Sequence, residues 1–260
     1  MGTSKVVGLA LSAGAARGYA HIGVLKVLER EGIPINCIAG SSMGAMVGAL
    51  YAVGISPDRL AKLALNLKRR HWLDITFPRL GLVSGEKLEA LLSLLTRGKR
   101  IEELSLPLAV VATDLEKGEE VVLTSGSIAR AVRASSAIPG IFAPVRYNGR
   151  LLVDGGVLNR VPAQVARDLG ADVVIAVNVG MELEDGGNRA RVNGIFGVIM
   201  QSIEVMQREI LKEKIIEADV VIQPQVGHIG ITQFERAEEC IRAGEKAAEE
   251  LLPQMKALVD

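Results

Sequence analysis

The sequence predicts an α/β fold of three layers, with helices on both faces of a mixed, mainly parallel central sheet. Three observations carry this expectation. Apolar runs of strand length alternate with segments of helical period along most of the chain. Two turns, Lys117-Gly118 and Asn148-Gly149, lie between apolar runs at hairpin spacing and so put antiparallel pairs into the sheet. With 260 residues, 49% of them hydrophobic, the chain can bury a full core as one domain over 1–260.

Val6 to Leu11 reads as a buried strand, followed by the loop Ser12-Ala13-Gly14-Ala15-Ala16-Arg17-Gly18. A helix is expected from Arg17 to Glu31, because Ile22, Leu25 and Leu28 recur at helical spacing and Gly32 supplies a stop. A second strand ends in the pentapeptide Gly40-Ser41-Ser42-Met43-Gly44, which opens into an apolar helix. Ser56-Pro57-Asp58 is a capping residue followed by proline at the first helical position and starts the next helix. From Lys68 to Gly85 periodicity breaks down around His71, Trp72 and Phe77, and this stretch reads as a cap or insertion.

Strands follow at Leu108 to Thr113 and Glu120 to Leu123, then a helix containing Ile128 and Val132 that leads into Ser135-Ser136-Ala137-Ile138-Pro139-Gly140. The Asn148-Gly149 hairpin joins Val145–Tyr147 to Leu151–Val153. A helix from Ala163 to Leu169, the strand Val173 to Val177, a polar loop to Asn193, a helix from Ile195 to Ile216, the strand Asp219 to Ile222 and an amphipathic helix from Phe234 complete the chain.

Composition excludes several classes. The 30 basic and 30 acidic residues cancel, and no basic run interleaves with aromatics, so nucleic acid is not an expected partner. Cys37 and Cys240 make neither a disulfide framework nor a metal cluster, which points to a reducing, cytoplasmic compartment; no basic-then-apolar leader precedes the first strand. From Gly32 to Pro57 the chain is uncharged, long enough by count to cross a bilayer, yet Pro34, Asn36 and internal glycines favour a buried strand, turn and helix.

Gly-x-Ser-x-Gly between a strand and a helix is the form of a nucleophile elbow, a strained turn that raises one serine at a helix N-terminus. Ser42 is the candidate nucleophile, with Gly40 and Gly44 placed where a side chain would crowd the neighbouring elements. The backbone N–H of Met43 is the expected first oxyanion donor, and the loop Ala13-Gly14-Ala15-Ala16 supplies a second set, with a helix dipole behind it. A bulky side chain at Gly14 is expected to abolish activity while the fold survives. The loop lacks the glycine spacing of a nucleotide cradle.

Three residues compete as the base. Asp154 ends a strand and is followed by Gly155-Gly156, which lets the chain turn and present the carboxylate. Asp185 lies in a charged loop, and His228 would complete a Ser-Asp-His order with Ser42 and Asp154. On residues alone the dyad, the triad and a non-catalytic lipid-binding or regulatory protein stay open. His21 reads as a helix-packing residue.

The segments Gly8 to Gly18, Gly40 to Gly44, Ser135 to Pro139 and Asp154 to Gly156 resemble, in order, the four signature blocks of bacterial patatin-like phospholipases. The resemblance covers most of the first 165 residues. It implies a patatin-like fold and a cofactor-free serine acyl hydrolase acting on phospholipids or other acyl lipids. It also implies Ser42 as nucleophile and Asp154 as its partner, with Gly14, Ala15 and their neighbours lining the oxyanion hole and Arg17 at the family's basic position. The family's run of three glycines is here Ala13-Gly14-Ala15, so a left-handed backbone at either alanine costs about 1 kcal/mol. The segment Lys68 to Trp72 reads first as a solvated helix end, with peripheral contact to a lipid surface as the alternative.

Overall fold

The computed structural model describes residues 5–74, 82–180, 198, 201–207 and 217–259. One eight-stranded sheet organises them, in the order β5-β6-β3-β2-β1-β7-β8, with β4 also paired to β3. The strands are β1 (Val7–Leu11), β2 (Cys37–Ser41), β3 (Leu108–Asp114), β4 (Glu119–Leu123), β5 (Val145–Tyr147), β6 (Arg150–Asp154), β7 (Val173–Val177) and β8 (Val220–Ile222). Pairings among β3, β2, β1, β7 and β8 are parallel, whereas both hairpins are antiparallel, as the turn residues imply.

The central strands are buried on both faces, which explains their continuous rather than alternating apolar character. One face carries Leu9, Leu11, Ile38, Val110 and Ile175 against helices α1 (Ala20–Arg30), α2 (Met43–Ala52), α3 (Pro57–Asn66), α4 (Glu86–Leu95) and α5 (Ile128–Ser135) and the C-terminal helix Ala237–Val259. The other presents smaller residues, Ala10, Ala39, Ala109 and Ala176, to α6 (Ala163–Asp168). No helix among the described residues is long and apolar enough to cross a membrane. The uncharged stretch from Gly32 is β2, a turn and α2.

The arrangement on β3 positions everything that follows. Its residues Leu108 to Val111 pair in parallel with Ile38 to Ser41 of β2, and Ala112 to Asp114 pair antiparallel with Asp154 to Leu152 of β6. Since β4 occupies the opposite edge along 110–114, β2 and β6 share one edge and run toward each other. Their ends meet between Val111 and Ala112. The antiparallel hairpin is therefore what brings residue 154 to residue 42.

Three elements depart from the sequence expectation. The helix expected from Arg17 begins as a 3-10 turn, Ala15–Tyr19, and becomes α-helical only at Ala20. Packing is the cause: a Cβ at Gly18 would lie 2.3 Å from Met43 Cγ, so the turn winds tightly against the second helix. Helix α4 is absent from the sequence reading, although Leu88, Leu91, Leu92 and Leu95 recur at helical spacing and Ser84 Oγ accepts from the N–H of Glu86 at 3.3 Å as a local cap. Its first N–H groups are satisfied from a distance by Asp74, whose carboxylate accepts from the N–H of Gly85 (2.9 Å) and of Lys87 (3.1 Å). The last helix is preceded by a separate 3-10 turn, Phe234–Arg236. Of the helix expected from Ile195, residues 198 and 201–207 are helical; Phe77, Asp185 and the loop to Asn193 lie outside the described residues.

Candidate active site

Ser42 joins β2 to α2 with φ 52° and ψ −118°, a left-handed-side conformation that a non-glycine residue holds only under strain. The surrounding contacts enforce it. A Cβ at Gly40 would lie 2.5 Å from Ala45 Cα, and one at Gly44 2.2 Å from the Leu11 carbonyl oxygen, so the elbow closes only with glycine at both positions. Ser42 thereby stands at the positive end of α2, beside the N–H of Met43.

The Ser42 hydroxyl donates to Asp154 Oδ2 at 2.6 Å. The other carboxylate oxygen, Oδ1, accepts from the N–H of Gly156 at 2.8 Å, which fixes the orientation of the carboxyl group. Asp154 is buried, and burial pushes its carboxyl from 3.8 up to about 6; the bonds from Ser42 and Gly156 and the charge of Arg160 pull the other way and only partly offset this. A carboxyl near 6 is a far better proton acceptor than an ordinary one and still mostly ionised at neutral pH.

The loop after β1 lies alongside. The N–H of Ala13 donates to the Arg160 carbonyl (2.9 Å) and that of Ala16 to the Ile231 carbonyl (3.1 Å), whereas the N–H groups of Gly14 and Ala15 make no such bond among the described residues. Gly14, Ala15 and Met43 are thus the candidate oxyanion donors. Ala16 is removed from that set because its N–H anchors the loop. Gly14 also corrects an expectation: a Cβ there would come within 2.3 Å of Val179 Cγ2 in the core, so valine at 14 damages packing as well as the loop.

Of the two alanines, only Ala15 adopts a left-handed angle, φ 46°. Ala15→Gly is expected to raise the unfolding free energy by about 0.5–1 kcal/mol, the left-handed penalty less the entropy glycine loses on folding. Denaturant melts measure it, and an unchanged midpoint would show the angle to be unstrained. Arg17 is buried, with Nε on the Ile229 carbonyl (2.6 Å) and Nη1 on Glu204 (2.5 Å), and ties the loop to the helical segment 201–207.

Two cavities reach Ser42 from different sides. The larger, about 120 Å³, is apolar, running between Met46, Leu60, Leu63, Leu88, Leu92 and Trp72. The smaller, about 50 Å³, is bordered by Gly14, Ala15, Asp154, Arg160, Glu204 and Gln207. The Trp72 ring packs on Phe234 with centroids 5.1 Å apart, at the end of the apolar cavity, which locates the described part of the expected cap.

The other sequence candidates lie elsewhere. His228 is exposed, its Nε2 bonded to Glu239 at 2.7 Å, and it borders neither cavity, so the structure does not assemble a triad through it. His21 is fully buried, bonded through Nε2 to the Ser12 carbonyl at 2.8 Å, and burial lowers its pKa to about 4. No group of three or more potential metal ligands occurs among the described residues. Ser135 stands in the sequence only as part of a signature block, and its bond to the N–H of Ser42 depends on the β2/β6 meeting point, for which no local pattern exists; Arg160, whose charge acts on Asp154 and which borders the smaller cavity, carries no sequence signal for that position.

Comparison with known proteins finds matches in both sequence and fold. The sequence model of the family described as patatin-like phospholipase matches residues 9–167. An uncharacterized NTE family protein of Mycobacterium tuberculosis is 42% identical over 180 residues, covering 68% of this chain and 50% of the relative. Patatin-like phospholipase domain-containing protein 6 of Homo sapiens is 37% identical over 195 residues, 70% of this chain but 14% of that protein. The chain thus spans about half the length of the mycobacterial relative. Among solved structures, VipD from Legionella pneumophila superposes with a TM-score of 0.70 at 18% identity, over 97% of this chain and 67% of VipD. The type III effector ExoU gives 0.54 at 15% identity, over 97% of this chain and 53% of ExoU.

Proposed function

Since the chain belongs to the patatin-like phospholipase family, we propose that it is a serine acyl hydrolase that cleaves ester bonds of phospholipids or other acyl lipids with Ser42 and Asp154 alone. The observation that carries this reading is the 2.6 Å bond between two buried side chains, with no histidine between them. Ser42 Oγ attacks the ester carbonyl while its proton passes to Asp154 Oδ2. The negative charge that develops on the carbonyl oxygen is accepted by the N–H groups of Gly14, Ala15 and Met43, each such donor being worth about 3 kcal/mol of barrier. The C–O bond to the alcohol then breaks, and Asp154 returns its proton to the departing oxygen. Water attacks the acyl-Ser42 ester in the same way, releasing the carboxylic acid.

The two cavities suit the two halves of such a substrate. An acyl chain fits the apolar cavity under α3 and α4, and the alcohol fits the smaller polar one beside Arg160. A fluorophosphonate probe is expected to label Ser42, with Ser42→Ala unlabelled. Absence of labelling in the folded wild-type protein would favour the lipid-binding scaffold instead. Trp72, the single tryptophan, is expected to change its emission when long-chain ester analogues or micelles are added. An unchanged spectrum during turnover would remove residues 68–74 from the path of the acyl chain.

A further inference from the structure

Where β2 and β6 converge, the ladder on β3 is interrupted. β2 leaves the sheet after Ser41 and β6 ends at Asp154, so the backbone groups flanking the gap lose their strand partners. One short segment at the end of α5 meets these needs. The N–H of Ser42 donates to Ser135 Oγ at 2.8 Å, and the same hydroxyl donates to the Val111 carbonyl at 2.6 Å. Two residues on, the Ala137 carbonyl accepts from the N–H of Asp154 at 3.0 Å. Ser135 is fully buried, and its hydroxyl both accepts and donates, which alanine cannot do and cysteine does weakly.

We propose that Ser135 is a positioning residue for the reaction: its hydroxyl replaces the missing strand at the β2/β6 meeting point and holds the strained Ser42 backbone at the distance from Asp154 that proton transfer needs. The inference rests on the assignment of Ser42 as nucleophile. Ser135 borders neither cavity, so its influence falls on the rate of attack and not on substrate binding. Its hydroxyl does not touch Asp154, whose own bonds, to Ser42 and Gly156, leave the carboxyl poised as before.

The test compares wild type with Ser135→Cys and Ser135→Ala in the rate of fluorophosphonate labelling and in kcat and KM for a short activated ester. A displacement of the nucleophile of the order of 1 Å predicts labelling and kcat lowered about 10- to 100-fold in Ser135→Ala, with Ser135→Cys intermediate. KM and the acid limb of the pH profile stay where they are. Wild-type labelling that is lost in Ser42→Ala checks the nucleophile assignment independently. The proposal is overturned if a folded Ser135→Ala protein is labelled at the wild-type rate, if KM rises in step with the loss of kcat, or if both variants fail to fold, which would make the hydroxyl a purely structural group.

Discussion

Asp154→Asn is expected to lower kcat by roughly 10³- to 10⁴-fold and, above pH 6, to make the protein more stable. The first effect follows from removal of the carboxylate that Ser42 bonds to and that, on the proposed mechanism, accepts its proton. The second follows from burial. The Asp154 carboxyl titrates near 3.8 when unfolded and near 6 when folded, so between these values the folded chain retains a proton that the unfolded chain has lost. Its favourable contribution is fully present below pH 3.8 and is lost as pH rises through 6. By neutral pH, ionised Asp154 lowers the unfolding free energy by about 3 kcal/mol relative to acid. Asparagine carries no charge to desolvate and keeps an acceptor for the Gly156 N–H. The variant therefore melts higher than wild type at pH 8, and the two converge toward pH 4. Wild-type turnover itself falls below about pH 6 as Asp154 takes up its proton. His228→Ala leaves activity unchanged, in keeping with its exposed bond to Glu239. Activity in Asp154→Asn near the wild-type level, or equal melting at pH 8, would refute the assignment.

Gly155→Ala is expected to damage stability and activity together. A Cβ at this position would lie 2.1 Å from the Val111 carbonyl oxygen and 2.8 Å from Ser41 Oγ, both buried at the point where the strand ends meet. The Val111 carbonyl is backbone within β3 and cannot swing aside as the Ser41 hydroxyl could, so relief requires β6 to move away from β3 and carry Asp154 with it. Overpacking of this kind costs roughly 2–4 kcal/mol, and a shift of about 1 Å costs roughly 100-fold in rate. Gly149→Ala, at the exposed Asn148-Gly149 turn, provides the contrast. Its Cβ meets nothing within 4 Å, and only the left-handed φ of 78° is penalised, by about 1 kcal/mol with activity intact. Chemical melts and initial rates on the two variants separate steric displacement from turn strain.

The parts of the site that depend on short-range pattern could be read from the sequence. Gly40, Ser42 and Gly44 declare the elbow because a strained turn needs particular residues at fixed offsets, and Asn148-Gly149 declares its hairpin for the same reason. Gly155 and Gly156 after a strand marked Asp154 as a carboxylate presented at a strand end. What stayed hidden depends on chain meeting chain. Two of the bonds that cap α4 come from Asp74, beyond any local window, and the anchoring of Ala16 to Ile231 joins residues far apart in sequence. The sequence therefore placed Ala16 among the oxyanion donors. The crowding at Gly14 was hidden in the same way, because Val179 is brought against it only by the pairing of β1 with β7.

The meeting of two strand ends on one edge of β3 also orders events during synthesis. Ser42 leaves the ribosome 112 residues before Asp154, an interval of about 6–20 s at ordinary elongation rates. In that time the elbow can form on β1 and β3, but the serine has no base. Hydrolytic competence on the proposed mechanism arrives only when the hairpin of β5 and β6 docks beside β2. A nascent or truncated chain ending before that hairpin is chemically silent toward the lipids around it, and activity itself becomes a report that the sheet has closed.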